Sequence, residues 1–166
     1  MDVEQDWSLI RQTWKRAQKS QRHQMVVSCD QSGQPHLTPI GSLCLHPSEP
    51  RGLYLDILNT TLRHHLDHDP QLSLIAIDTS LMTWVKGLVR GRFQGPVGIR
   101  LKGSAQSRRP GTPEELSLLK KRFALFRHTR GYQLLWQNAS YVRELSFHHA
   151  SPVPVGKLTS NQMNRK

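Results

Sequence analysis

Residues 25–45 read MVVSCDQSGQPHLTPIGSLCL. Two apolar, β-branched-rich runs flank Gln31-Ser32-Gly33-Gln34, so the stretch predicts a hairpin with Gly33 at the turn position that needs positive φ. The second run is odd for a half-buried strand. Pro35 and Pro39 restrict its backbone and remove ladder donors, while His36, Thr38 and Ser42 interrupt its apolar residues.

Outward from this hairpin the chain alternates strands with short helices. Before it, Val3, Trp7, Ile10, Trp14 and Ala17 recur at steps of three and four, the spacing of an amphipathic helix. After it, residues 51–58 (RGLYLDIL) read as a strand, and Thr60 opens a helix that Pro70 stops after about two turns. LSLIAID at 72–78 is a continuous apolar run, hence a central strand. LMTWVKGLV at 81–89 reads as helix or as an extended excursion, and GRFQGP as loop. VGIRLKGSA at 97–105 alternates as a strand. Thr112-Pro113-Glu114-Glu115 is an N-cap with proline at the first helical position, predicting a helix to about His128. A further helical turn is expected at 132–138 and a last strand at 141–147. The expectation is one domain over residues 1–150, mainly β with helices: a six-stranded antiparallel barrel with flanking helices. Residues 151–166 read as a basic tail.

Composition suits one compact domain: 166 residues, 36% apolar, with four Trp, four Phe and three Tyr to fill a core. A net charge of +11 attracts polyanions, acidic membranes and phosphate-bearing ligands alike, and the basic residues form no single stripe in the sequence. Cys29 and Cys44 lack CxxC spacing, which argues against a disulfide framework or a zinc knuckle. The start is unlike a signal peptide, and no apolar run approaches the roughly 18 residues of a bilayer span. A cytoplasmic setting with no membrane partner is the expectation.

Hydrolase elbows, phosphate loops of the GxxxxGK[ST] type, HExxH and strand-turn-helix GxGxxG are all absent. His64 and His68 stand one helical turn apart, but no third ligand is evident, so no metal is expected. Thr60, Thr61 and Arg63, at a helix start directly after a strand, are the hydroxyls and guanidinium that bind a phosphate monoester with helix N-terminal amides. On spacing alone the plainer reading is preferred, with a threonine capping the helix and Arg63 solvated.

The order of the pieces goes further. It resembles the pyridoxamine 5'-phosphate oxidase-like family of FMN-binding split barrels, in which a Gly-x-Pro turn leads to a strand ending Pro-x-Gly. Thr/Ser-x-Lys/Arg, leucine and Asp-Pro then precede an apolar strand, and a later strand carries Gly-x-Ala. Gly33, Pro35, Pro39, Gly41, Thr61, Arg63, Leu66, Asp69, Pro70, Gly103 and Ala105 fill those slots, over residues 7–147.

The resemblance implies a six-stranded split barrel and FMN as cofactor, with His36, Leu37, Thr38 and Pro39 along the isoalloxazine ring. His36 and Thr38 would face the cofactor cleft, which fits a strand partly committed to a ligand. Thr61 and Arg63 would bind the phosphate, with Thr60 nearby. Arg100 or Lys102 would approach from the facing side, the two being assigned opposite faces of their strand. It implies a homodimer with cofactor sites at the subunit interface and an FMN-dependent oxidoreductase of unknown substrate; Trp84, Phe93 and Trp136 are candidates for that interface or for the flavin's outer face, a buried core being the more common fate of such aromatics. The C-terminal Arg-Leu-x-Pro segment of the vitamin B6 oxidase has no counterpart here, so that reaction does not carry over. Relatives also bind deazaflavin or haem. The rival class is a nucleic-acid-binding small barrel, disfavoured because the strands carry few aromatics.

Overall fold

The computed structural model describes residues 1–159. Eight strands form one wholly antiparallel sheet in the order β2-β1-β5-β6-β8-β4-β3, with β7 paired to β8. They are β1 (Gln24–Cys29), β2 (Pro35–Ile40), β3 (Cys44–Leu45), β4 (Arg51–Leu55), β5 (Gln71–Ile77), β6 (Gly98–Ala105), β7 (Arg109–Pro110) and β8 (Tyr141–Pro152). The six longer strands are those expected. The two extra ones are two-residue pieces: β3 is the end of the expected second strand, detached from β2 at residues 41–43, and β7 lies beyond β6.

Period-two burial builds the core. Val26, Leu72, Leu74, Ala76, Ile99, Leu101, Leu145, Phe147 and Ala150 all face the barrel interior. Helix α1 (Trp7–Ser20) covers them with Trp7, Ile10, Trp14 and Ala17, and α2 (Thr60–His68) adds Leu62 and Leu66. Each large side chain so buried contributes about 1.5–3 kcal/mol. The Trp7 indole N–H also donates to His46 O at 3.1 Å, joining α1 to the loop after β3. A second cluster of Leu55, Leu119, Ala139 and Val142 lies under α4 (Pro113–Lys121), where Phe123 and Trp136 stack at 4.3 Å. Trp84 of α3 (Leu81–Arg90) packs edge-on against Phe93 at 5.5 Å and donates to Asp78 O at 2.8 Å. Trp84, Phe93 and Trp136 are therefore packed within their own chain, the more common fate of such aromatics.

Other boundaries differ for local reasons. Helix α1 begins at Trp7 because Asp2 Oδ1 accepts from Glu4 N and Gln5 N, folding the start into a turn. Residues 81–89 are helical, ended by Gly91 at φ 63°. Helix α4 stops at Lys121. A 3-10 turn (Ala124–Phe126) follows, then a short helix, α5 (Arg130–Tyr132), that widens into a π-turn (Gln133–Gln137). Past residue 150, β8 continues to Pro152, Gly156–Thr159 forms a 3-10 turn, and Leu158 O accepts from Phe93 N at 3.1 Å. The remaining seven positions of the expected tail lie outside the described residues.

Candidate functional site

The hairpin turn is built on Asp30. Its Oδ1 accepts from Ser32 N, Ser32 Oγ and Gln34 N at 2.7–2.9 Å, and Gly33 takes φ 81° as expected. These bonds hold the Asp30 carboxyl below its ordinary range, the Ser32 hydroxyl contributing most. Among the described residues strand β2 pairs with β1 alone and is therefore an edge. Asp30 N bonds to Gln34 O, and the alternation of an antiparallel ladder then directs the amide positions of residues 35, 37 and 39 away from β1. Two of those are prolines. The outward edge of β2 thus carries a single donor, Leu37 N–H, beside several carbonyl acceptors.

Side chains along β2 divide between two faces. His36 lies opposite Ser28 and edge-on to His65 of α2 at 4.7 Å, while Ser28 Oγ and His65 Nδ1 are 3.0 Å apart. Thr38, opposite Val26, shares this inner face. Leu37 and Pro39 face outward. Ladder partners share a face, so one outer row runs Leu37, Val27, Ser73, Lys102, His149 and the next runs Pro39, Met25, Ile75, Arg100, Ser151. Arg100 and Lys102 therefore project from the same face, correcting the assignment of opposite faces: residues two apart on a strand always do. They are exposed, three strand spacings or about 14 Å from β2.

The start of α2 is uncapped. Neither Thr60 nor Thr61 is the N-cap; Asn59 is, without a side-chain bond, leaving first-turn N–H groups with both exposed hydroxyls beside them. Arg63 is not simply solvated. Its side chain is 27% exposed, Nε lies 3.8 Å from Asp56 Oδ1, and that Nε is buried with no hydrogen-bond partner. Asp56, just after β4, is 1% exposed and accepts from Arg143 Nε of β8 at 2.8 Å; Arg143 Nη2 reaches Asp67 of α2 at 2.6 Å. Two carboxylates and two guanidiniums thus balance around this helix, so Asp56 orients Arg63 and the positive end of the helix dipole remains at the uncapped start. Above them Tyr54 Oη is buried and unpartnered. Burial first, then the Asp56 charge, pushes its pKa well up, so it stays a neutral donor.

No protein-family profile and no curated protein matches this sequence. Solved structures match its shape. An FMN-binding protein from Syntrophomonas wolfei subsp. wolfei superposes with a TM-score of 0.60, covering 92% of this chain and 95% of its own at 12% identity. HupZ of Group A Streptococcus gives 0.56, covering 90% and 98% at 14% identity. A candidate pyridoxamine 5'-phosphate oxidase from Lactobacillus delbrueckii gives 0.52, covering 86% and 90% at 13% identity. The chain has the pyridoxamine 5'-phosphate oxidase-like split-barrel fold. Identities this low establish the fold alone.

Within this split barrel the candidate residues form three groups: the β2 edge with His36, the α2 start with Thr60, Thr61 and Arg63, and the outer face of β6 with Arg100 and Lys102. The chain by itself does not gather them into a single pocket. A cavity of about 440 Å³ instead lies between the hairpin turn and α2, lined by Asp30, Gln31, Ser32, His64, His65 and His68. Among the described residues no three ligating side chains are arranged for a metal. Sequence reading missed Asp56, Tyr54 and Arg143. The available signal was Arg143 itself, two residues before the inward-facing Leu145 in a strand expected to alternate.

Proposed function

We propose that the protein binds FMN and acts as a flavin-dependent oxidoreductase of the pyridoxamine 5'-phosphate oxidase-related type, as a cytoplasmic homodimer. The observation that carries this reading is Arg63: a guanidinium whose buried Nε has no hydrogen-bond partner among the described residues, only Asp56 Oδ1 at 3.8 Å, beside the uncapped N-terminus of α2. Phosphate is the group that donor set suits, since the dipole, the first-turn amides, Thr60, Thr61 and Arg63 all favour a compact anion. The single outward donor of β2, Leu37 N–H, with the neighbouring carbonyls, suits the polar rim of a flat heterocycle. A fold neighbour that is an FMN-binding protein adds support.

Bound there, the flavin would supply the hydride or electron chemistry. The protein's part is binding and orientation: Asp56 fixes Arg63, Arg143 holds Asp56 and Asp67 so that α2 keeps its angle to the sheet, and His36 with Thr38 lines the inner side of the edge strand. Arg100 and Lys102 are too far across the sheet to serve the site of their own chain. A second copy packed on the outer face, where Leu37, Met25, Val27 and Ile75 lie half-buried or exposed, would bring its own pair over the first copy's β2. The two free cysteines, Cys29 and Cys44, fit a reducing compartment.

Titration of purified protein with FMN and with riboflavin tests the anchor. Arg63→Ala should weaken FMN by about 1.5–3 kcal/mol, or about ten- to 150-fold, and riboflavin far less. Equal losses for the two ligands, or no uptake of FMN by the wild type, would reject the assignment.

A further inference from the structure

Helix α3 is held to the body by one side only. Gly87 is buried so closely that a Cβ there would come within 2.2 Å of the Phe93 ring, and Trp84 packs on the same ring. The opposite side is apolar and bare: Leu81 is 78% exposed, Val89 82%, and Met82, Val85 and Leu88 between 46% and 65%. At 100° per residue these five side chains occupy one continuous arc, and Lys86 and Arg90 flank it.

Behind that flank lies a cavity of about 150 Å³ lined by Arg16, Lys86, Arg90 and Arg92, together with Phe93 and Pro96. It has room for several waters at about 30 Å³ each. Arg16 donates to Pro96 O at 2.8 Å, and none of the four cations forms an ion pair among the described residues. No Asp or Glu occurs anywhere in residues 79–113. Asp78, just before this stretch, is committed to Ser80 N and to Thr83 Oγ1 at 2.9 Å each, so the four cations repel one another without an ion-pair partner among the described residues, and an anion in the cavity relieves that.

We propose that α3 docks this protein on an anionic lipid surface, its apolar arc entering the headgroup boundary and a lipid phosphate seated among Arg16, Lys86, Arg90 and Arg92. An exposed aliphatic arc bordered by lysine and arginine is the geometry of a helix lying in a membrane interface. A second copy of the chain is the poorer occupant, because a symmetric contact on α3 sets Lys86, Arg90 and Arg92 against themselves. A nucleic acid would satisfy the cations and leave five aliphatic side chains in water. The expectation of no membrane partner rested on spanning segments, and no helix among the described residues is long and apolar enough to cross a membrane; an interfacial helix needs no span. The proposal is independent of the flavin site.

Co-sedimentation with pure phosphatidylcholine vesicles and with phosphatidylcholine–phosphatidylglycerol vesicles tests it on the unmodified chain. The protein should pellet with the mixed vesicles only and be released as salt rises. Leu81→Ser with Val89→Ser should weaken that binding about tenfold or more. Lys86→Gln with Arg90→Gln should weaken it about thirtyfold, at roughly fivefold per charge. Absence of binding to mixed vesicles, equal binding to both kinds, or binding unchanged in both double variants would overturn the proposal. So would a wild-type oligomer that Leu81→Ser with Val89→Ser dissolves, which would make the arc a protein interface.

Discussion

At Gly103 two strands come closer than any side chain allows. A Cβ there would sit 2.2 Å from Ser146 O and 3.0 Å from the Phe147 ring, where the β6–β8 register shifts between Lys102 and Gly103. Gly103→Ala should cost about 1–3 kcal/mol, read as a lower urea midpoint, and an unchanged midpoint would show that the strands part freely. Asp56 is the second sensitive position. Asp56→Asn leaves the Arg143 guanidinium buried with half its charge partners gone, so a loss of about 3–5 kcal/mol is expected in the same assay. Gly103 was legible in the sequence as a motif position before its reason was known. Asp56 was not, because its partner is 87 residues away and a lone aspartate after a strand looks like a turn residue.

Among the elements, α4 is the one whose start the sequence spelled out most fully. Thr112 Oγ1 accepts from Glu115 N, Glu115 Oε2 accepts from Thr112 N, and Arg109 grips both Glu115 oxygens at 2.6 and 2.8 Å. The Arg109 bond, chiefly, lowers the Glu115 pKa from its usual 4.5 to about 2. A depressed folded pKa means the stabilisation is whole above the unfolded value, fades as pH falls from 4.5 and is gone below about 2. The wild type should therefore outlast Glu115→Gln in thermal melts at neutral pH, the gap closing through that acid window; a constant gap would refute the linkage. The end of α4 was less readable, since Arg122 continues in helical conformation and no glycine marks the stop. Likewise β2 was recognisable as a strand while the face of each side chain was not. Which of His36 and Leu37 points inward depends on its pairing with β1, whereas the shared face of Arg100 and Lys102 follows from period two alone.

For the whole molecule, the architecture was readable because six strand-like runs, some alternating and one continuously apolar, and their turns all pointed to one antiparallel arrangement. The composite site was harder, because its proposed parts lie on three surfaces and, in the reading proposed above, meet only across two copies of the chain. That arrangement predicts concentration-dependent behaviour: sedimentation should give a dimer, and Lys102→Glu with Arg100→Glu should weaken FMN binding without altering the fold of the monomer. Saturating FMN should raise stability by about 2.7 kcal/mol at a hundredfold excess over its dissociation constant, or very roughly 5–10 °C in melting temperature. No shift on adding FMN would count against the reading at this scale.

The open side of β2 has one more effect. An unguarded border strand is a template on which stray polypeptide can polymerise, and chains ordinarily defend it with lysines, kinks or a covering segment. Here Pro35 and Pro39 have stripped that border of alternate donors, so an incoming strand would find one amide where it needs three. The same scarcity that suits the planar guest proposed here makes the border a poor template for fibril growth, and the protein can keep it bare without becoming sticky.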